Sequence, residues 1–154
     1  MADTDLTISR FIDAPPARVW RAWSRPEHLA QWWIPAPIEC RVIRLDLHPG
    51  GGFETRMRQG GGDFRPHAEG CFLEVRPERR LVWTTALTGG WRPATPWLAL
   101  TAIITFDPEA QGTRYACRVM HRDAADSQKH AGMGFHDGWG TVIDQLAEFV
   151  ARPE

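Results

Sequence analysis

Three side chains in the sequence have the types that acid–base chemistry requires, and two of them lie on one predicted strand. Tyr115 and His121 fall on the same face of the segment 113–121, because side chains alternate along a strand. Arginines occupy the opposite face, which indicates that Tyr115 and His121 point inward. An imidazole with an ordinary pKa near ~6.5 suits general acid or base catalysis. The sequence therefore suggests His121 or Tyr115, with Glu69 as a nearby acid; the alternative for His121 is a strand-end histidine bonded to backbone or solvent.

The sequence is also rich in aromatic side chains that could line a binding site. It contains 8 Trp, 7 Phe and 1 Tyr, more aromatic area than one small core usually needs. Trp91 lies in a loop rich in glycine and proline, and Trp97 follows it, so we expect both at the mouth of a pocket. The other aromatic side chains could equally be core packing. The predicted ligand-binding residues are Trp83, Trp91, Trp97, Tyr115, Met133, Phe135 and Trp139.

The sequence shows no motif for a metal, a phosphate or a cofactor. Asp126 and His130 have helical spacing, but no HExxH motif occurs and His136 falls on another side of a helix. The glycine triplets 50–52 and 60–62 are not followed by Gly-Lys-Ser/Thr, so they are predicted as hairpin turns. We therefore predict neither a metal site nor a cofactor.

Charge and composition restrict the partners and the compartment. The chain carries 18 basic and 19 acidic side chains, a net charge of -1, which gives no general attraction to nucleic acid or anionic membranes. The sequence has no apolar segment of the length that a membrane helix or signal peptide needs. Cys40, Cys71 and Cys117 lack CxxC spacing and are predicted as reduced thiols. We expect a cytoplasmic protein without membrane insertion or nucleic-acid partner, as a monomer or homodimer.

The pattern along the chain predicts one mixed α+β domain over residues 1–154, with its core from about 7 to 150. A strand at 7–12 precedes two short helices, the second ending before Pro35. From Ile38 to Met120 the pattern has period two with Gly and Pro turns, which predicts five or six further antiparallel strands. The tryptophans of the two short helices are Trp20, Trp23, Trp32 and Trp33.

The C-terminal segment is predicted as a long helix with one apolar face. Trp139, Ile143, Leu146 and Val150 have the spacing of that face. Several glycines lie between 132 and 140, and each costs about 1 kcal/mol relative to alanine inside a helix. We therefore expect a late or broken start; the alternative is that the glycines make room for something approaching the backbone. A curved sheet that wraps this helix would leave a wedge-shaped space for a small molecule.

Five sequence segments, in order, resemble one known superfamily. They are FIDAPPARVWRAWSRPEHLAQWW (11–33), LHPGGGFETRMR (47–58), GCFLEVRPERRLVWTT (70–85), GTRYACRVMH (112–121) and the Gly138-Trp139 pair. The chain is similar over nearly its whole length to the SRPBCC superfamily, and within it to the branch related to the activator of the heat-shock-protein-90 ATPase. The resemblance implies the START-like helix-grip fold: a curved antiparallel sheet of six to seven strands around a long C-terminal helix, with two short helices after the first strand.

The resemblance is less specific for function, because members of the superfamily include ligand carriers, polyketide cyclases and a co-chaperone domain. With the surplus of aromatic residues, it favours a protein that binds a hydrophobic or aromatic small molecule between the sheet and the C-terminal helix. The first alternative is a cyclase- or hydrolase-like enzyme acting in the same space. The second is a domain that contacts the heat-shock-protein-90 chaperone through a charged strand face such as Glu54, Arg56 and Arg58.

Overall fold

The computed structural model describes residues 4–153, in which one strand and two short helices precede a meander of strands and two further helices. The first elements are β1 (Asp5–Ile12), α1 (Pro16–Ser24) and α2 (Pro26–Leu29). The meander contains β2 (Glu39–Leu45), β3 (Gly52–Arg58), β4 (Arg65–Arg76), β5 (Arg80–Thr84), β6 (Leu87–Thr88), β7 (Arg92–Pro93), β8 (Leu100–Glu109) and β9 (Gly112–His121). The last elements are α3 (Ala124–Gly132) and α4 (Phe135–Ala151).

Seven of the strands form one antiparallel sheet in the order β1-β9-β8-β5-β4-β3-β2. Strands from β2 to β9 pair mostly with their neighbours in sequence, as expected for a meander, whereas β1 joins the sheet beside β9. The short strands β6 and β7 pair separately as a hairpin in the loop before β8. This α+β arrangement, with early short helices and a long C-terminal helix, confirms the predicted helix-grip fold.

The inward face of the sheet follows the predicted alternation. In β8, Leu100, Ala102, Ile104 and Phe106 are buried. The partner strand β9 buries Tyr115, Cys117, Val119 and His121, while its arginines lie on the opposite face. Buried apolar side chains from Ile8 to Val150 form one continuous core between this face and the helices.

The long C-terminal helix is interrupted, as the glycines predict. Gly134 adopts φ +88°, a left-handed backbone that glycine tolerates best, and it separates α3 from α4. A Cβ at Gly132, Gly134 or Gly138 would meet no atom within 4 Å, so these glycines are not sites of close packing. The helix therefore breaks at Gly134, and α4 begins at Phe135, two residues before the predicted start near Asp137.

The second early helix is shorter than its sequence pattern indicates. Regular α-helix ends at Leu29, and Trp32 and Trp33 lie in the turns that follow, although both side chains are buried. Hydrogen bonds from Gln31 N to His28 O and from Trp32 N to Leu29 O tighten these turns. From these turns the Trp33 ring reaches Phe53 of β3.

Two helix features fix how the layers pack. In α1, Pro16 occupies the first turn and Val19, Ala22 and Trp23 are buried. The buried face of α4 contains Ile143, Leu146 and Val150, as predicted, and the helix lies against α1 and β1.

No helix within residues 4–153 combines the length and apolar character that a membrane span requires.

Candidate functional site

The concave side of β3, β4 and β5 is covered by closely packed aromatic rings. Trp33 lies with its ring centroid 5.4 Å from Phe53 and 6.2 Å from Trp83, and Phe53 lies 5.1 Å from Trp83. A Cβ at Gly70 would lie 2.4 Å from the Thr84 carbonyl oxygen and 3.2 Å from the Trp83 ring, so the glycine lets these strands and the indole approach. We call this group the aromatic cluster; its members are Trp23, Trp32, Trp33, Phe53, Phe72 and Trp83.

The four indole N–H groups of the aromatic cluster differ in their hydrogen bonding. Trp23 Nε1 donates to the Tyr115 hydroxyl at 3.0 Å, and Trp32 Nε1 donates to the Ala22 carbonyl at 3.1 Å. Trp33 Nε1 and Trp83 Nε1 are both buried and have no acceptor among residues 4–153. A buried donor without a partner costs about 1–3 kcal/mol. The cluster therefore presents two neighbouring donors suited to an acceptor oxygen of a bound molecule or a water.

His67 lies at the rim of the aromatic cluster, on a β-bulge. It is the extra residue of β4 where Thr55 pairs with Ala68 and Arg56 with Pro66. Thr55 Oγ1 and His67 Nδ1 are 2.9 Å apart, and the His67 ring lies 6.5 Å from Trp33. Although the residue is exposed along one side, the protein atoms around its ring lower its pKa to about 4 by desolvation. His67 is therefore a neutral polar group at pH 7.

A second polar site joins the end of β9 to α3. His121 Nδ1 lies 2.7 Å from the Thr4 carbonyl oxygen, and His121 Nε2 lies 2.8 Å from His130 Nδ1. Both histidines are buried, and the His130 ring packs 5.0 Å from Phe135. Burial, and then the neighbouring His121, lowers the pKa of His130 to about 4. Within residues 4–153, no three His, Cys, Asp or Glu side chains gather as a metal-binding group.

The three catalytic candidates occupy separate environments. Tyr115 is buried against Phe106, with ring centroids 5.5 Å apart, and burial raises the pKa of its hydroxyl well above 10. His121 is bound to His130 and to backbone, which fits the alternative reading of a strand-end histidine. Glu69 is exposed and pairs with Glu54 in the register of β4 and β3, on the face opposite to buried Thr55. The fold therefore does not bring Glu69 to the two inward side chains.

The predicted ligand-binding residues divide into three groups. Trp83 belongs to the aromatic cluster, and Tyr115 bonds to it through Trp23. Phe135 and Trp139 pack together at the start of α4, with centroids 5.1 Å apart, and Met133 precedes them with 55% of its surface exposed. The exposed fractions of Trp91 and Trp97 are 52% and 69%.

The two loop tryptophans have different surroundings. Trp91 adopts φ 63° and its indole covers Gly50, where a Cβ would lie 2.5 Å from the indole nitrogen. Trp97 is covered by Lys129 of α3, whose Nζ lies 3.8 Å from the ring centroid and donates to the Trp97 carbonyl at 3.2 Å. Trp97, Lys129 and Met133 thus form a surface group where the loop before β8 meets the break between α3 and α4.

Two concave spaces of the molecule lie away from the predicted mouth. One, of about 430 Å³, lies between α1 and the end of α4, and the other, of about 550 Å³, lies on the outer face of β1, β9 and β8. Neither is lined by a predicted ligand-binding residue. The sheet interior is instead occupied by the aromatic cluster.

The sequence did not predict the residues that complete the aromatic cluster and the His121–His130 pair. The sequence pattern places Trp33 in a short helix and suggests His130 only as a metal ligand. The signal for Trp33 is its position beside Trp32 and shortly before Pro35, because a proline disfavours helix in the residue that precedes it. No signal in the sequence indicated the bulge that places His67 beside Thr55.

Comparison with solved structures gives matches over nearly the whole chain. A protein from Nitrosomonas europaea is 44% identical, with a TM-score of 0.88, and the match covers 98% of this chain and 96% of that chain. A protein from Chromobacterium violaceum is 26% identical, with a TM-score of 0.76 and coverage of 99% and 100%. A protein from Mycobacterium smegmatis, 23% identical with a TM-score of 0.81 and coverage of 99% and 93%, shares the fold.

Comparison with curated proteins gave no match. The family model described as "Activator of Hsp90 ATPase homolog 1-like protein" matches residues 13–151, from the end of β1 to the end of α4. That range includes the aromatic cluster, the histidine pair and the interrupted C-terminal helix. With this match and the shared helix-grip fold, the chain belongs to the family of activator of Hsp90 ATPase homolog 1-like proteins.

Proposed function

We propose that the protein binds a small, largely apolar molecule that carries a hydrogen-bond acceptor, and that this molecule lies in the aromatic cluster between the sheet and the helices. The observation that carries the proposal is the pair of buried indole N–H groups of Trp33 and Trp83. Aromatic walls with a few oriented polar groups are typical of small-molecule sites. An acceptor oxygen on the bound molecule would satisfy a buried indole donor, which an apolar molecule would not.

We expect such a molecule to enter by displacing Trp33. The rings of the aromatic cluster are in contact, so a ligand has to displace one of them. Phe53 and Trp83 lie on β3 and β5, which are paired on both sides, whereas Trp33 lies on the turn segment between α2 and β2 and retains 9% exposure. We expect Trp33 to move outward while Trp83 stays in place.

The proposal is tested by the indole N–H signals in proton–nitrogen correlation spectra. The probes are 2-acetylnaphthalene and 2-ethylnaphthalene, which have similar shape but differ in the carbonyl acceptor. We expect 2-acetylnaphthalene to shift the Trp33 and Trp83 signals downfield, while the Trp32 signal, already bonded to Ala22, changes little. Trp83→Phe should weaken binding of the ketone about tenfold, and Trp20→Phe should not. Equal binding of both probes, or unchanged Trp33 and Trp83 signals, would contradict the proposal.

A contact with the heat-shock-protein-90 chaperone is the second prediction, and no feature of the charged strand face favours it. Arg56 pairs with Glu54, and Arg58 pairs with Glu39 at 2.8 Å, so these charges are already matched within the sheet. Such exposed pairs are ordinary surface features. The cytoplasmic location stays a prediction from the sequence.

A further inference from the structure

A buried threonine and a histidine form a polar pair beside the aromatic cluster. Thr55 lies two residues after Phe53 in β3, so both side chains point to the same face of the sheet, and both are buried. The Thr55 hydroxyl lies 2.9 Å from His67 Nδ1. We call these two residues the Thr55–His67 pair. It places polar atoms on a wall that is otherwise made of aromatic rings.

The burial of Thr55 determines which atom donates in this pair. The Thr55 side chain has no exposed surface, and His67 Nδ1 is the hydrogen-bond partner of its hydroxyl among residues 4–153. If Nδ1 carried the proton, the hydroxyl would accept it and bury its own proton without an acceptor, which is unfavourable. The hydroxyl therefore donates to Nδ1. Because the pKa of His67 is lowered to about 4, the ring is neutral at pH 7 and carries its proton on Nε2.

The Nε2–H group of His67 is a donor that the described part of the chain does not use. Within residues 4–153 the ring forms its hydrogen bond through Nδ1, and the residue is exposed along one side. Its ring meets the Trp33 ring edge-on at 6.5 Å, and Trp33 lies 6.2 Å from Trp83. The place of the Trp33 ring is thus bordered by His67 and by Trp83, whose buried N–H has no acceptor either. A molecule that displaces Trp33 would contact both residues.

We propose that the ligand is an aromatic molecule with an acceptor oxygen at each of its two ends, one that accepts from Trp83 Nε1 and one that accepts from His67 Nε2. This inference rests on the proposed function, because the ligand has to take the place of Trp33. Both groups only donate, so they select carbonyl oxygens over groups that only donate. Thr55 is a positioning residue, since it acts by keeping the His67 proton on Nε2.

The test compares 2,6-diacetylnaphthalene with 2-acetyl-6-ethylnaphthalene, which have similar shape and differ in the carbonyl at the second end. Each is titrated into the full chain while the indole N–H signals and the ring signals of the histidines are followed. We expect the diketone to bind about fivefold more tightly and to shift the His67 Nε2 signal, which the monoketone should not. In the free protein, the nitrogen shifts of His67 should show a protonated Nε2 and an unprotonated Nδ1.

Matched variants separate the donor from the shape of the site. His67→Phe keeps an aromatic ring beside Trp33 but removes the donor, so the preference for the diketone should disappear. Thr55→Val keeps the shape of the buried side chain but frees Nδ1, so both ring tautomers should appear and the preference should decrease. His136→Phe removes an exposed histidine of α4 and is the control. The preference is a ratio measured within one variant, so a general change in affinity cancels.

The outcomes distinguish this inference from the proposed function. If neither ketone shifts the Trp83 indole signal, the proposed function fails and this inference fails with it. If both ketones shift that signal but bind equally well, the ligand class is wrong and the proposed function stands. A preference that persists in His67→Phe, or a proton on Nδ1 in the free protein, would also overturn this inference alone.

Discussion

At the scale of single residues, the hydrogen bonds of the His121–His130 pair fix which ring nitrogens carry protons. The Thr4 carbonyl oxygen only accepts hydrogen bonds, so in the neutral ring His121 Nδ1 carries the proton. His121 Nε2 then accepts from His130 Nδ1, which leaves a lone pair on His130 Nε2. Because burial lowers the pKa of His130 to about 4, this ring is neutral at pH 7. Protonation of His130 at Nε2 would place a charge in buried surroundings, so the neutral ring is the form that the fold favours.

The stability of the fold should therefore depend on pH through His130. Its folded-state pKa of about 4 lies below the ordinary value of 6.5, so between these values the unfolded chain binds more protons. The stabilisation is complete above pH 6.5 and decreases as the pH falls toward 4, and His67 contributes in the same direction. We predict a lower urea midpoint at pH 5 than at pH 7, with a smaller decrease in His130→Gln. Exposed His136→Gln is the control; an equal decrease in all three proteins would contradict the role of His130.

The sequence predicted which way these side chains point, but it did not predict the residues that they contact. Strand alternation placed Tyr115 and His121 inward because the period of a strand fixes which face each residue occupies. Their partners Trp23 and His130 lie on helices, and their distances depend on how those helices pack. The same limit applies to Trp33, which reaches Trp83 from a turn.

At the scale of elements, the break between α3 and α4 offers a matched pair of substitutions. Gly134→Ala forces a side chain into a left-handed backbone and should lower the free energy of unfolding by about 1 kcal/mol. Gly138→Ala lies in regular α4 with open space around the new Cβ and should raise it by up to about 1 kcal/mol. Urea unfolding measures both changes. Equal effects of the two substitutions would show that the break does not depend on the conformation of Gly134.

Elements with clear periodicity were predicted well, and those set by tertiary contacts were not. The hydrophobic pattern predicted β8, β9 and the buried face of α4. Each of these elements is long enough for its buried side chains to repeat with the period of a strand or a helix. The second short helix ends at Leu29 rather than near Pro35, and Trp32 and Trp33 are buried from the turns that follow. The hairpin of β6 and β7 contains only two residues in each strand, too few for a periodic signal.

At the scale of the whole molecule, the fold joins distant segments of the chain around the aromatic cluster. β1 pairs with β9, and α4 packs on α1 and β1, so both ends of the described chain enclose the core. The aromatic cluster lies against β3, β4 and β5, which are inner strands of the sheet. The turn segment that carries Trp33 runs past α4 and is held there by side-chain hydrogen bonds.

Gln145 of α4 holds this segment through three hydrogen bonds. Its Nε2 donates to the carbonyls of Trp32 and Ile34, both at 3.0 Å, and its Oε1 accepts from Ala36 N at 2.7 Å. Gln145→Ala removes all three and should lower the free energy of unfolding by about 1–3 kcal/mol, with faster hydrogen exchange at the Ala36 amide. Asp144→Ala, at an exposed neighbouring position, should change neither. If exchange at Ala36 is unchanged in Gln145→Ala, the segment is held by the burial of Trp32 and Trp33 instead. Faster exchange would show that Gln145 holds the segment that carries Trp33.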